Sequence, residues 1–216
     1  MFITLEGPDG SGKSNQIPQL AEFIRLQGYE VLTTREPGGT SIGDQIRQVI
    51  MKLGNTSMDP RTEILLFCAA RAQIVSEVLR PNLERGVVVI SDRYADSTLA
   101  YQGYGHNLDL ETLRQILRFA TGGLKPDLTL LLDIDADEGL RRRQNGGGEW
   151  NRLDAYEVAF HKRVRDGYHD LVKLEPGRWV VINGSQTREK VQTDLQEIVL
   201  QRLKEHKKAI EGENHA

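Results

Sequence analysis

The chain has 216 residues, of which 38% are hydrophobic and 27% are charged. This balance is typical of one sizeable globular domain and excludes a disordered chain. The formal net charge of -3 excludes a general affinity for nucleic acid or for anionic lipid. An anionic ligand would therefore have to be held by a local cluster of positive side chains.

The cysteine count and the N-terminus bear on cellular location. The single cysteine, Cys68, cannot form an internal disulfide, which is unusual for a secreted protein. The chain opens directly on a predicted strand and shows no basic and apolar leader. No apolar run reaches the ~18 residues that a membrane-spanning helix needs. These features predict a cytoplasmic protein with no membrane partner.

Short β-rich runs alternate with longer helical patterns along the chain. The runs are nearly continuous in Val, Ile and Leu, which is typical of parallel strands that are buried on both faces. The predicted strands are Phe2–Leu5, Glu30–Thr34, Val87–Ser91, Leu128–Ile134 and Trp179–Ile182. The apolar stripes of the predicted helices indicate core packing, and these helices cover residues 13–27, 60–79, 110–121, 154–174 and 187–206.

This alternation predicts an α/β fold with right-handed crossovers, in which a five-stranded parallel sheet carries helices on both faces. Residues 1–206 form a single domain on this interpretation, and the charged tail at 207–216 is expected to fray. Ligands of such sheets bind beyond the carboxyl ends of the strands. Pro18 lies inside the first predicted helix and is expected to kink it or to shift its start.

The segment after the first strand is Gly7-Pro-Asp-Gly-Ser-Gly-Lys-Ser14, which fits the phosphate-binding pattern G-x-x-x-x-G-K-[ST]. Its glycines let backbone N–H groups turn inward around phosphate oxygens, and the following helix adds its positive end. The pattern predicts that Lys13 reaches the β- and γ-phosphates of a triphosphate and that the Ser14 hydroxyl ligates Mg²⁺. A glycine-rich structural turn is the alternative. The predicted ATP-binding residues are Gly7, Pro8, Asp9, Gly10, Ser11, Gly12, Lys13 and Ser14.

The motif indicates binding of a nucleoside triphosphate but does not specify a reaction. A guanine-reading Asn-Lys-x-Asp box is absent, which argues against a GTPase switch, and motor or transporter ATPases need a longer chain. A small-molecule kinase remains. It needs an acceptor pocket, cations around the transferred phosphoryl group and a lid that excludes water.

Two strand ends supply candidates for the acceptor pocket. The second strand leads into Thr34-Arg-Glu-Pro-Gly-Gly-Thr40, where a rigid turn would point Arg35 into the crevice, although the segment could be only a turn. The third strand leads into Ser91-Asp-Arg-Tyr94. There Asp92 can orient Mg²⁺-bound water and Arg93 can bind a phosphate, unless the two form only a surface ion pair.

A lid is predicted over residues 141–153. Arginines at 141–143 and at Arg152 flank the run Gly146-Gly-Gly148. Arginines on a glycine-hinged segment fit a mobile element that closes over phosphates. A solvated helix face is the alternative for the arginine run.

Taken together, these segments resemble thymidylate kinase of the bacterial kind over most of the chain. The resemblance implies a P-loop NTPase fold, ATP and dTMP as substrates, Mg²⁺ as the cofactor, dTDP as the product and a homodimer. The segments that carry it are Glu6-Gly-Pro-Asp-Gly-Ser-Gly-Lys-Ser14, Thr34-Arg-Glu-Pro-Gly-Gly-Thr40, Leu65-Leu-Phe-Cys-Ala-Ala-Arg71 and Asp92-Arg-Tyr-Ala-Asp-Ser-Thr-Leu-Ala-Tyr-Gln-Gly103.

The resemblance implies roles for single residues in the acceptor pocket. Asp9 would face the sugar and phosphate of the acceptor, and Arg35 and Arg93 would clamp that phosphate. Phe67 would stack on thymine, while Arg71 would donate to a base carbonyl. Tyr101 would lie beneath the sugar, and the residues implied to line the base and sugar pocket with it are Thr98 and Gln102.

The same resemblance bears on the transfer step. The variable positions of the P-loop, from Pro8 to Ser11, contain no arginine, so the chain resembles the type whose catalytic arginine lies in the lid. The acceptor phosphate has a second pKa of about 6 and is a dianion near neutral pH, so no general base is required. The implied catalytic residues are Lys13, Arg93, Asp9, Arg143 and Arg152.

Two signals leave alternatives open. The segment Asn183-Gly-Ser-Gln186 resembles the loop that packs on adenine, but it could equally be a plain turn between a strand and a helix. For the whole chain, the alternatives are another small-molecule P-loop kinase and an ATP-binding regulator without catalysis. Phe67, Arg71 and Tyr101 favour a pyrimidine deoxynucleotide over other acceptors.

Overall fold

The computed structural model describes residues 1–146 and 151–213. One parallel five-stranded sheet runs through it in the order β2-β3-β1-β4-β5. The fold class predicted from the sequence is confirmed, and every predicted strand ends within one residue of the observed carboxyl end. The strands are β1 (Phe2–Glu6), β2 (Val31–Arg35), β3 (Val88–Asp92), β4 (Leu128–Asp133) and β5 (Trp179–Asn183).

Helices connect the strands and cover the sheet. Two π-helical segments, Val75–Leu79 and Leu99–Gly105, extend α3 and α5 respectively. The α-helices are α1 (Lys13–Leu26), α2 (Ser41–Met51), α3 (Pro60–Ile74), α4 (Arg80–Glu84), α5 (Ala95–Thr98), α6 (Leu110–Thr121), α7 (Ala136–Asn145), α8 (Val158–Leu174) and α9 (Arg188–Glu213). Within the described residues, the helices include none that is both long enough and apolar enough to cross a membrane.

The sheet is buried between two helical layers. On one face, Ile3 of β1 packs in a fully apolar core with Leu20 of α1 and Leu195 of α9. On the other face, Leu131 of β4 packs in a second core with Val164 of α8. Because all strands are parallel, their carboxyl ends lie along one edge, and the segments with predicted chemistry follow these ends.

Three predicted helices have different bounds in the structure. The helix predicted at 60–79 changes to the wider π form after Ile74. The helix predicted at 154–174 begins only at Val158, because the Asn151 side chain holds the preceding residues in turns by accepting from Leu153 N at 2.8 Å. The last helix continues to Glu213, into the stretch predicted to fray, and residues 214–216 lie outside the described residues.

Two helices that position the site were not predicted. The α2 helix begins at a capping side chain, since Thr40 Oγ1 accepts from Gly43 N at 3.0 Å. The α7 helix begins in the same way, with Asp135 accepting from Asp137 N at 3.0 Å. Most residues of α7 are charged or polar, so this helix has no apolar stripe from which it could be predicted.

The α1 helix begins at Lys13 and contains Pro18 in its interior. The proline therefore does not shift the start of the helix, and that part of the expectation is wrong. The helix N-terminus stays directly behind the glycine-rich loop, where its N–H groups can face an anion.

Candidate active site

The P-loop encloses the ammonium group of Lys13. Lys13 Nζ donates to the carbonyl oxygens of Gly7 and Pro8 at 2.9 Å each, and to Ser11 Oγ at 3.1 Å. Gly10 and the other loop glycines have positive φ angles, which let the chain curl around the lysine. Burial and the nearby Arg93 lower the pKa of Lys13 to about 8, against the opposing effect of neighbouring carboxylates. Lys13 thus remains a cation at neutral pH.

Ser14 and Asp92 meet at the end of β3. Ser14 Oγ donates to Asp92 Oδ2 at 2.5 Å, although the two residues are far apart in the sequence. A hydroxyl and a carboxylate oxygen beside a triphosphate loop form the hard oxygen donor set that Mg²⁺ prefers. The structure therefore brings the two predicted metal ligands together.

Arg93 lies at the centre of the site in a left-handed backbone conformation, with φ 71°. Its guanidinium donates to Asp9 Oδ1 at 2.7 Å and to the Tyr101 hydroxyl at 3.0 Å. The Tyr101 hydroxyl in turn donates to Asp9 Oδ2 at 2.6 Å. Burial opposes ionisation of Asp9, but Arg93 and Lys13 hold the pKa of its carboxyl well below the usual range. Asp9 is thus a carboxylate. The left-handed backbone of Arg93, a non-glycine residue, is typical of a functional site.

The predicted base pocket forms around Arg71, which is fully buried. Arg71 Nε donates to Glu36 Oε2 at 2.7 Å, and its two amino groups donate to Thr98 Oγ1 at 3.0 Å and to the carbonyl of Tyr94 at 3.1 Å. Phe67 lies one helical turn earlier on α3, with its side chain mostly buried. This arrangement fixes the plane of the Arg71 guanidinium before any ligand binds.

One cavity of about 680 Å³ joins these groups. The P-loop from Asp9 to Ser14 lines one side of it. Gly7 and Pro8 contribute the carbonyl oxygens that accept from Lys13 Nζ. The loop after β5, from Gly184 to Arg188, contributes to the same end of the cavity as the P-loop helix. The predicted acceptor residues that line the cavity are Arg35, Phe67, Arg71, Arg93, Thr98, Tyr101 and Gln102.

Comparison with known proteins identifies the family. The sequence model described as thymidylate kinase matches residues 5–195. A thymidylate kinase of Roseiflexus sp. (strain RS-1) is 50% identical over 210 residues, which cover 92% of this chain and 93% of that one. One from Exiguobacterium sp. (strain ATCC BAA-1283 / AT1b) is 44% identical over 205 residues, or 95% and 96% of the two chains.

The fold agrees with these sequence matches. The crystal structure of thymidylate kinase from Ehrlichia chaffeensis superposes with a TM-score of 0.75 and is 33% identical in sequence. The match covers 93% of this chain and 98% of that chain. The chain belongs to the thymidylate kinase family.

The lid of this thymidylate kinase family member is described at 141–146 and 151–153, and residues 147–150, with two of the predicted hinge glycines, lie outside the described residues. Arg143 lines the cavity and forms a bidentate ion pair with Asp154, at 3.0 Å from Nη2 to Oδ2. Arg142 also lines the cavity and donates to the carbonyl of Gly184 at 2.9 Å. The lid helix thus presents two arginines to the nucleotide site.

Arg152 requires a correction. The sequence interpretation made it a catalytic lid arginine, but it is not among the described residues that line the cavity. Its guanidinium is buried, where it pairs with Glu63 and donates to the carbonyl of Ile50 at 3.0 Å and to the Tyr156 hydroxyl at 2.8 Å. A buried carboxylate needs a cation, and Glu63 captures Arg152 for that purpose. The residue anchors the end of the lid to α2 and α3.

Sequence reasoning missed Arg47 and Glu6, among other residues of the site. Arg47 on α2 lines the cavity beside Arg35 and donates to the Pro37 carbonyl at 3.0 Å. Burial, together with the charge of Arg35, lowers the pKa of Arg47. It lies on a helix that was not predicted. Thr40 is a residue type that often caps a helix, and this signal could have predicted α2 and the position of Arg47 on it.

Glu6, at the end of β1, is the second missed residue. It is buried and accepts from Tyr94 N at 2.8 Å, from Ser97 Oγ at 2.5 Å and from the Tyr168 hydroxyl at 2.9 Å. The same two hydroxyls accept from Arg93, at 3.1 and 3.2 Å. Glu6 thus stands behind Arg93 and orients the groups that hold its guanidinium.

Proposed function

We propose that the cavity holds ATP on the P-loop and dTMP against the far wall, with their phosphates meeting between Lys13 and Arg93. As a thymidylate kinase, the protein phosphorylates dTMP to dTDP, a step of dTTP synthesis. The observation that carries the proposed arrangement is the continuity of one cavity from Ser14 to Phe67 and Arg71.

The transfer step follows from the charges of the site. An oxygen of the dTMP phosphate bonds to the γ-phosphorus of ATP while the bond from that phosphorus to the β–γ bridging oxygen breaks, and ADP leaves. The attacking oxygen needs no base, since the second pKa of a phosphate monoester is about 6. Lys13, Arg93 and Arg143 would neutralise the charge on the transferred group and hold the reactants in line.

Asp9 would orient the acceptor through its partners. Its carboxylate is tied to both Arg93 and Tyr101, which lie on the acceptor side of the cavity. Because this carboxylate belongs to the P-loop, it holds the Arg93 guanidinium and the Tyr101 ring at a fixed distance from the loop. Tyr101 would then meet the sugar, where a 2′-hydroxyl would have to displace its ring.

Mg²⁺ fits the residues at the P-loop. Ser14 Oγ and Asp92 would hold it, directly or through water, because they present hydroxyl and carboxylate oxygens within 2.5 Å of each other. When bound beside Ser14 and Asp92, Mg²⁺ would offset the negative charge of the phosphates. No group of three or more His, Cys, Asp or Glu able to hold a metal occurs among the described residues.

Selection of thymine would depend on the Arg71 pocket. The buried ion pair with Glu36 fixes a donor that suits a base carbonyl and would oppose the amino group of cytosine. Phe67 supplies an apolar surface for the ring. The methyl group of thymine adds only about 1–3 kcal/mol, so dUMP should be a poorer substrate and not an excluded one.

The experiment that tests this assignment measures ADP release with dTMP, dUMP, dCMP, AMP and GMP as acceptors. We expect dTMP to give the highest kcat/KM and dUMP to follow it. A preference for AMP or GMP would indicate a different small-molecule kinase. ATP binding without ADP release for any acceptor would indicate a regulator without catalysis.

Dimer formation and a cytoplasmic location belong to the same proposal. Adjacent helices α2, α3 and α6 expose large apolar side chains, including Val49, Leu65 and Phe119, whose exposed fractions are 47%, 59% and 89%. Such side chains gain from being covered by a second copy of the chain. Light scattering should give twice the monomer mass, and a monomeric mass would contradict the homodimer.

A cytoplasmic location would give the enzyme direct access to ATP and keep Cys68 reduced.

A further inference from the structure

The P-loop and the lid helix touch each other backbone to backbone. At Gly10 of the P-loop, an added methyl group would collide with the carbonyl group of Gly139 in α7, whose carbon would lie 2.7 Å away. At Gly139, an added methyl group would lie 2.5 Å from the carbonyl oxygen of Asp9. Two glycines therefore allow a close approach that any larger residue at either position would prevent.

Gly139 shares its helix face with the lid arginines. In an α-helix, residues three and four positions apart lie one above the other, and Arg142 and Arg143 stand at those positions after Gly139. Both arginines line the cavity. Bonds to Asp154 raise the pKa of Arg143 most, partial burial opposes them, and the charge of Asp9 adds to the rise. The face that rests on the P-loop is thus also the face that carries the cations.

We infer that Gly139 is a positioning residue for phosphoryl transfer. Its contact with Asp9 and Gly10 sets the height of α7 above the P-loop, and thereby the distance of Arg143 from the transferred phosphoryl group. The inference rests on the proposed role of Arg143 in transfer. It adds that this role depends on a backbone contact one helical turn away, at a residue with no side chain and no charge.

A side chain at Gly139 could not be accommodated by a rotamer change. The atom it would meet is a backbone oxygen, and non-bonded carbon and oxygen atoms normally stay about 3.3 Å or more apart. Either α7 or the P-loop has to move by on the order of 1 Å. A misplacement of about 1 Å in a catalytic arrangement can cost ~10²-fold in rate.

The test begins with Gly139→Ala, compared with Gly177→Ala as the matched control. Gly177 precedes β5, at the opposite end of the sheet from the cavity, and a methyl group there would meet open space. For Gly139→Ala we expect kcat to fall by about 10–100-fold while the KM for ATP changes by less than about 3-fold. Its melting temperature should fall by no more than about 3 °C, because the better helix propensity of alanine offsets part of the strain of moving α7. The control should match the wild type in all three.

A double-mutant cycle with Arg143→Ala then tests whether Gly139 acts through Arg143 or only holds the fold. If Gly139 acts through Arg143, Arg143→Ala should lower kcat by about 10²-fold in the wild type and by less in Gly139→Ala, so that the double variant has the kcat of Arg143→Ala alone. Unchanged kcat in Gly139→Ala, or fully additive losses, would overturn the inference. So would a melting temperature lowered by several degrees, since the contact would then hold the fold instead of the lid. No effect of Arg143→Ala in the wild type would instead refute the proposed role of that arginine.

Discussion

The Arg93 guanidinium donates to the Asp9 carboxylate at 2.7 Å and so joins the end of β3 to the P-loop across 84 residues of sequence. Arg93 reaches this position only because its backbone takes a left-handed conformation, with φ 71°. The buried carboxylate of Glu6 holds that turn by accepting from the next backbone N–H, that of Tyr94. The strained backbone of Arg93 and the buried charge of Glu6 thus together orient the Arg93 guanidinium.

The conformation of Arg93 predicts different stabilities for two inactive variants. Arg93→Ala and Arg93→Gly both remove the guanidinium, so each should lower kcat by about 10²–10³-fold. Glycine takes a positive φ freely, whereas alanine does not, and the glycine variant should be more stable by about 1 kcal/mol. Urea unfolding of both proteins checks this, and equal free energies of unfolding would contradict the claim of strain.

Glu6→Gln tests the hydrogen-bond network behind Arg93. A carboxylate accepts all three of its bonds, whereas an amide accepts on one side only, so that either its nitrogen faces Tyr94 N or the two hydroxyls must reverse and accept from it. Either change should disturb Arg93 and lower kcat by about 10-fold, the equivalent of roughly 1.4 kcal/mol. Steady-state ADP release with saturating dTMP measures the effect, and an unchanged kcat would exclude a positioning role for Glu6.

The pH dependence of the same pair of proteins provides a separate prediction. Burial and the neighbouring Asp96 raise the pKa of Glu6 to about 7, against the opposing effect of Arg93 and of bonds from Ser97 and Tyr168. As the pH falls through 7, the wild type should therefore lose the network and its kcat should approach that of Glu6→Gln. Dividing one kcat by the other at each pH removes the titration of the substrate phosphate, which both proteins share. A ratio that stays constant from pH 8 to pH 5.5, a range set by that pKa of about 7, would be evidence against the assignment.

Stability should change in the opposite direction, because the folded pKa of Glu6 lies above its ordinary value of 4.5. The folded protein then binds the proton more tightly than the unfolded chain does. Burial of the ionised group costs stability above pH 7, and the cost disappears as the pH falls towards 4.5. Relative to Glu6→Gln, the wild type should gain unfolding free energy over that interval.

The parts of the site that local chemistry determines were predictable from the sequence. The glycines, Lys13 and Ser14 of the P-loop follow one another in a fixed pattern, and the structure gathers them at the turn from β1 into α1. The five strands were predictable because each contains a short run rich in Val, Ile, Leu or aromatic residues, most of them nearly continuous. The α7 helix was not, since most of its residues are charged or polar and it is defined by the cap at Asp135 and by contact with the P-loop.

The parts that depend on distant contacts could not be predicted. The ion pair of Arg152 with Glu63 spans 89 residues, and the bond of Tyr168 to Glu6 spans 162. No local pattern shows which buried carboxylate takes which arginine. Arg152 lies near a glycine-rich segment and was therefore predicted to be catalytic, whereas in the fold its side chain is buried in the core.

Thr98→Val is expected to affect the base pocket alone. The hydroxyl of Thr98 accepts from Arg71 at 3.0 Å, and valine keeps the volume but removes the acceptor. Arg71 should then be less firmly oriented, so we expect the KM for dTMP to rise by about 3–10-fold. The KM for ATP should not change, because the hydroxyl lies on the acceptor side of the cavity. Equal changes in both KM values would indicate a general loss of packing.

Arg152 and Arg143 should show opposite effects when each is replaced. Arg152→Met leaves the Glu63 carboxylate buried without its cation and should destabilise the fold by about 3–5 kcal/mol, with little change in kcat per folded molecule. Arg143→Ala should lower kcat by about 10²-fold. Its effect on stability should be smaller, because the Arg143 side chain is 23% exposed and its removal opens Asp154 to water, whereas that of Arg152 is 5% exposed. Urea unfolding and ADP release on the two variants separate anchoring from catalysis. A stable Arg152→Met protein with a 10²-fold loss of kcat, the size expected for a lost catalytic donor at about 10²–10³-fold, would restore Arg152 to the reaction.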